Sequence, residues 1–169
     1  MNWKISILLL VLIVSACKEE KTFETEQFKE TYLIEPAMLS DLVDHQNIKI
    51  VDFRKKEIYN DEHIIGAINI WRTDIEDTSY DYEGMMASPS QMEELFGKLG
   101  IKTGDTLVIY DDKGLCDAAR LWWVLQNYDY NNVKLLHGGI AGWKAMNGEI
   151  TSTIPVVTAT SFKLPKNPK

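Results

Sequence analysis

Cys116 is the side chain best suited to nucleophilic chemistry, and it lies in the stretch DDKGLCDAARLWW, Asp111–Trp123. A strand-like run, LVIY, ends just before this stretch, and a helix-like run begins within it. A thiol close to the first turn of a helix lies where free amides and the helix dipole favour an anion, which raises the thiolate fraction. Asp111, Asp112 and Asp117 work in the opposite direction, since nearby carboxylates resist a further negative charge and repel anionic substrates. Lys113 is the cation in the loop, and Arg54 and Arg120 are the others able to counter these acids. Residue chemistry leaves two readings of Cys116 open: a working nucleophile, or an inert loop thiol beside Gly114 and Leu115.

A second pair stands at the end of another strand-like run, in VDFRKK. Asp52 and Arg54, one residue apart, can brace a neighbouring loop through charge-assisted hydrogen bonds. His63 reads as a structural histidine at a turn. Gly138 and Gly139 read as a tight strand-to-helix connection. Trp122, Trp123 and Trp143 read as packing residues on helices. Three His and two Cys lack metal-ligand spacing, so neither a metal site nor a cofactor is expected.

These groups need a frame. YLIEP reads as a strand, and Pro36 opens a helix running to about His45. IKIVDF is a buried strand. A short helix, a turn at Gly66 and a strand over Ala67–Ile70 follow, and then a polar, irregular excursion over 71–87. Ser88 as cap, Pro89 at the first position and Gly100 as stop define a further helix. DTLVIYD and NVKLLHGG read as strands, each followed by a helix. Alternating strands and helices imply right-handed crossovers and a parallel sheet covered on both faces. In such sheets ligands gather beyond the carboxyl ends of the strands, here Asp52–Arg54, Tyr110–Asp117 and His137–Gly139.

The first residues serve another purpose. Ile5–Ala16 is an apolar run too short to span a bilayer, for which about 20 residues are needed, and it has the size of a signal-peptide core. It ends VSAC, which resembles a bacterial lipobox, so Cys17 is the expected lipid attachment site. Residues 1–16 are then a leader, 17–31 an acid-rich tether, 32–150 the folded domain and 151–169 a C-terminal tail. CKEE, at the start of the tether, also resembles an export signal of surface lipoproteins. The expected location is the cell envelope, with the membrane as partner through the lipid on Cys17. The formal net charge of −7 becomes −8 when cleavage removes Lys4. Without a basic stripe, nucleic acid is not an expected partner.

The order IVDFRKKEIYNDEHIIGAINI, LVIYDDKGLCDAARLWWVL and VKLLHGGIAGWKAMNG resembles the rhodanese family of sulfurtransferases. The resemblance implies an α/β fold with a central five-stranded parallel sheet and helices on both faces. It further implies a loop whose amides surround a cysteine that alternates between thiol and persulfide, with a small sulfur-containing anion or thiol acceptor as partner. Active members write that loop CxxGxR or CxxGxT. Aligning Gly114 with the loop glycine places Asp111 at the nucleophile position and Cys116 at the last residue. That pattern is similar to the non-catalytic N-terminal half of two-domain thiosulfate and mercaptopyruvate sulfurtransferases. Glu62 replaces the glycine before the usual His, and His137 replaces the usual Asp before the paired glycines. The related phosphatase loop, C-x5-R, is not matched, because Cys116 and Arg120 are separated by three residues. Two functions remain: an envelope-anchored sulfurtransferase, or a catalytically degenerate domain that binds a partner.

Overall fold

The strand runs that looked continuously apolar form the centre of the molecule. The computed structural model describes residues 31–165, of which 32–165 belong to one compact unit; Cys17 and residues 1–16, expected to be a leader, lie outside the described residues. The strands are β1 (Leu33–Ile34), β2 (Ile48–Asp52), β3 (His63–Ile64), β4 (Ile68–Asn69), β5 (Thr106–Tyr110), β6 (Val133–Leu136) and β7 (Ile150–Thr151). The helices are α1 (Pro36–Ser40), α2 (Lys56–Asp61), α3 (Pro89–Lys98), α4 (Ala118–Asn127) and α5 (Gly139–Ala145). Five strands form one parallel sheet in the order β1-β6-β5-β2-β4. Register pairs Val51 with Ile109 and Ile109 with Leu135, so the central strands bury both faces.

Side-chain alternation divides the core in two. Val51, Leu107, Ile109, Val133 and Leu135 join one cluster with Met92 and Phe96 of α3 and Leu121, Val124 and Leu125 of α4. The intervening residues Ile50, Val108, Tyr110 and Leu136 are buried on the other face. There α2 supplies Tyr59, and α5 supplies Ile140 and Trp143. Helix α3 starts as its sequence dictates: the Ser88 hydroxyl accepts from the Gln91 amide, and Gln91 Oε1 accepts from the Ser88 amide. Burying the Met92 and Phe96 side chains contributes about 1.5–3 kcal/mol each.

Four expectations need correction. Helix α1 stops at Ser40 and gives way to tighter turns, in which the Leu42 amide bonds to the Leu39 carbonyl and the His45 amide to the Leu42 carbonyl, three residues back rather than four. Trp123 is 45% exposed, since it follows Trp122 by about 100° around α4 and falls outside the packed stripe. The excursion over 71–87 is partly ordered, with a 3-10 turn at Arg72–Ile75 and a bridge between Glu76 and Met86. The residues after 150 are more than a tail. β7 pairs antiparallel with β3, the Thr160 amide bonds to the Gly97 carbonyl, and Phe162 packs edge-on to Phe96. Gly97 is needed there, because a Cβ would lie 2.8 Å from the Thr160 carbonyl oxygen.

Candidate functional site

Strand β5 ends at Tyr110 and delivers Asp111 to the end of the sheet with its side chain fully buried. The loop then curls around that carboxylate. Oδ1 accepts from the amides of Lys113 (2.9 Å) and Leu115 (2.8 Å), and Oδ2 from those of Asp117 (2.8 Å) and Ala118 (2.9 Å). Gly114 and Leu115 adopt the left-handed region, φ 66° and 71°, which is what turns successive N–H groups inward. The last two donors are the cap and first residues of α4, so the dipole of that helix points at the same carboxylate. The loop is an anion cradle, and Asp111 fills it.

Cys116 stands outside this ring. Its side chain is exposed, and its amide turns to the Lys113 carbonyl at 3.4 Å rather than to Asp111. Asp112 is exposed. Asp117 is nearly buried and pairs with Arg72 at 2.7 Å, with Lys113 Nζ at 3.4 Å. The cation of the loop is therefore engaged with a neighbouring acid.

The third segment closes the back of the loop. The Ile140 amide donates to the Asp111 carbonyl at 3.1 Å. Gly139, at φ 55°, approaches so closely that a Cβ would lie 2.3 Å from that oxygen. This close approach, beyond the turn itself, is why two glycines stand together. His137 is exposed and reaches Glu35 at 2.8 Å.

Asp52 and Arg54 form a buried brace. The Arg54 amide, Nε and Nη2 all donate to the Asp52 carboxylate, the last at 2.6 Å, and Nη2 also reaches the Glu62 carbonyl. Burial pulls the Arg54 guanidinium down, but the hydrogen bond and charge of Asp52 outweigh it and raise its pKa overall. Tyr110 completes the unit: its hydroxyl donates to Asp52 at 2.6 Å and accepts from the Ile64 amide at 3.1 Å. Burial first, and the Asp52 charge second, push the Tyr110 phenol far above its ordinary range. The brace ties β2, β3 and β5 together just beneath the loop. Arg54 is only 3% exposed, so it is not available to an anionic ligand or to Cys116.

Arg120 does not support the loop as expected. Its guanidinium bonds to the Gly84 carbonyl at 2.7 Å and lies over the Trp123 ring, pinning the 71–87 excursion instead. His63 is buried, with Nδ1 2.7 Å from the Tyr59 carbonyl and its ring stacked on Tyr59 at 4.0 Å. Tyr110, Arg72 and Gly139 are site residues that sequence reasoning did not single out for these roles. Tyr110 carried a signal as an amphipathic residue at the end of an apolar strand, and Gly139 as one of two paired glycines, though not its close approach to Asp111. Among the described residues no group of His, Cys, Asp and Glu could hold a metal ion, and no helix is long and apolar enough to cross a membrane.

A parallel sheet covered on both faces, with an amide cradle beyond its central strand, makes this an α/β domain. The chain belongs to the rhodanese-like domain family, whose model matches residues 35–146. SseA of Mycobacterium tuberculosis is 37% identical over 107 residues, covering 62% of this chain and 35% of that protein. The 3-mercaptopyruvate sulfurtransferase of Escherichia coli is 27% identical over 124 residues, covering 68% of this chain and 44% of the relative. The crystal structure of SseA from Escherichia coli shares the fold with a TM-score of 0.74, at 24% identity over 82% of this chain and 56% of that one. The chain thus spans less than half the length of these curated relatives.

Proposed function

We propose that this chain is an envelope-anchored rhodanese-like domain that acts as a binding or interaction module, with a loop that does not carry persulfide. The observation that supports it is the Asp111 carboxylate held by four loop amides while the Cys116 thiol faces solvent. In sulfane-sulfur transfer a thiolate attacks the outer sulfur of thiosulfate, the S–S bond breaks, and sulfite leaves with the electron pair toward hydrogen-bond donors. Here those donors are taken, and a carboxylate in the cradle repels an anionic donor. The lipobox-like VSAC supports anchoring through Cys17 in the cell envelope. The scattered cations and net charge of −7 speak against nucleic acid as a partner. A second reading, transfer of sulfur from a small anion to a thiol acceptor through Cys116, is favoured by the exposed thiol at the loop and by the sulfurtransferases among the relatives.

Thiosulfate treatment followed by intact mass measurement separates the two. The expected result is no added sulfur on the wild-type protein and turnover far below about 10⁴ M⁻¹s⁻¹. Asp111→Cys, which puts a thiol inside the ring, should gain one sulfur. Robust native turnover abolished by Cys116→Ser, with folding intact, would overturn the binding-module reading.

A further inference from the structure

His63 is fully buried, and both of its ring nitrogens face an acceptor. Nδ1 lies 2.7 Å from the Tyr59 carbonyl oxygen, and Nε2 lies 3.2 Å from the Thr153 carbonyl oxygen. A carbonyl oxygen only accepts, and a neutral imidazole has one N–H to offer. Both contacts are hydrogen bonds only when the ring carries a second proton. The neutral ring keeps its proton at Nδ1, the closer contact, and turns the Nε2 lone pair on the Thr153 oxygen.

We propose that His63 is a proton-operated latch for the C-terminal strap, residues 152–164: the imidazolium holds the Thr153 carbonyl, and the neutral ring lets it go. The way the strap is attached makes one bond count. After Thr153, its next tie to the body is Thr160, which bonds to the Gly97 and Ile101 carbonyls. Residues 154–159 make no hydrogen bond among the described residues. Ile154 and Val156 are 54% and 100% exposed. A segment held so sparsely opens at low free energy. The ring itself stays in place when the contact breaks. Its neighbours Glu62 and Ile64 are gripped through their backbone by Arg54 and Tyr110, and its face is stacked on Tyr59.

Burial opposes a charged ring, while two carbonyl dipoles and the Tyr59 face favour it. On α2, Lys56 also opposes it, with Nζ 4.7 Å from the Tyr59 ring centroid, and Glu57 and Asp61 are exposed. Asp52 of β2 is paired with Arg54, and Glu62 with Lys144 of α5. Glu149, just before β7, meets β3 through its backbone carbonyl, which accepts from the Ile65 amide. Histidine is the side chain whose charge ordinarily changes between about pH 5 and 8. The proton favours the closed state, so the strap is held at the acid end of that range and loosened at the alkaline end.

The test follows the full chain, labelled with nitrogen-15, by NMR between about pH 5 and 8. Ring spectra distinguish His63 from His45 and His137. Both His63 nitrogens should carry protons at the acid end, and Nε2 should lose its proton toward the alkaline end. In step with that loss, the exchange protection of the Ile65 amide, corrected for its intrinsic rate, should fall about tenfold as the β3–β7 pair loosens. His63→Gln, which does not titrate, should show the same Ile65 protection at both ends. A wild-type Nε2 without a proton throughout overturns the proposal, and so does a titrating ring with unchanged Ile65 protection. A pH dependence that survives in His63→Gln assigns it to another group, the exposed His137–Glu35 pair foremost, and also overturns the latch. If His63→Gln does not fold, the wild-type ring spectra and Ile65 protection decide by themselves.

Discussion

Replacing Asp111 should cost this domain more stability than any change to Cys116. Asp111→Ala removes the acceptor of four amides, two of them buried, those of Asp117 and Ala118. A buried donor left unpaired costs about 1–3 kcal/mol. The part-buried amides of Lys113 and Leu115 can turn to water, so they add roughly 0.5–1 kcal/mol each. The sum is about 3–8 kcal/mol, or a melting temperature lower by roughly 10–30 °C for a domain of this size. Asp111→Asn is the sharper probe, because all four contacts demand an acceptor and an amide group offers one oxygen. It should lose two of the four bonds and cost about 2–3 kcal/mol, while Cys116→Ser stays within about 0.5 kcal/mol. Urea unfolding followed by circular dichroism gives both values. The vacated ring of Asp111→Ala is also an anion site, so sulfate should raise its melting temperature and leave the wild type unchanged. An Asp111→Asn protein as stable as wild type, with the same denaturant slope, would show that the carboxylate does not organise the loop.

Gly139→Ala should destabilise by about 2 kcal/mol or more, through the positive φ and the clash with the Asp111 carbonyl, read as a lower urea midpoint; a loss below a few tenths would mean that α5 shifts freely. Stability should also fall in alkali. Burial pushes the Tyr59 phenol up to about 12 and raises Tyr110, Tyr128 and Tyr130 as well, so each favours its neutral form in the folded state. Their contribution is complete below the ordinary tyrosine pKa near 10 and is lost as pH rises through the folded values. Phenolate absorbance of these residues should therefore rise together with loss of ellipticity, and early phenolate absorbance in a fully folded protein would contradict it.

The parts of this fold legible from sequence are those governed by local rules. The Ser88–Pro89 start of α3, the Gly100 stop at φ 74° and the buried runs of β2, β5 and β6 each follow from a few neighbouring residues. The β3–β7 pairing was not legible, since it joins two-residue segments whose partners lie far apart in the chain. Arg72 reaches Asp117 across 45 positions, and no periodicity announces such a pair. Cys116 shows the limit most clearly. Its position near a helix start argued for a thiolate, yet what an amide ring binds depends on where a left-handed turn aims the N–H groups. Gly114 and Leu115 aim them at residue 111, five positions before the thiol. The four donors thus reward whichever acceptor extends from the end of β5. With a carboxylate there, the loop gains a permanent internal anion in place of an exchangeable one, and a site for anion chemistry becomes a structural joint between β5, α4 and α5.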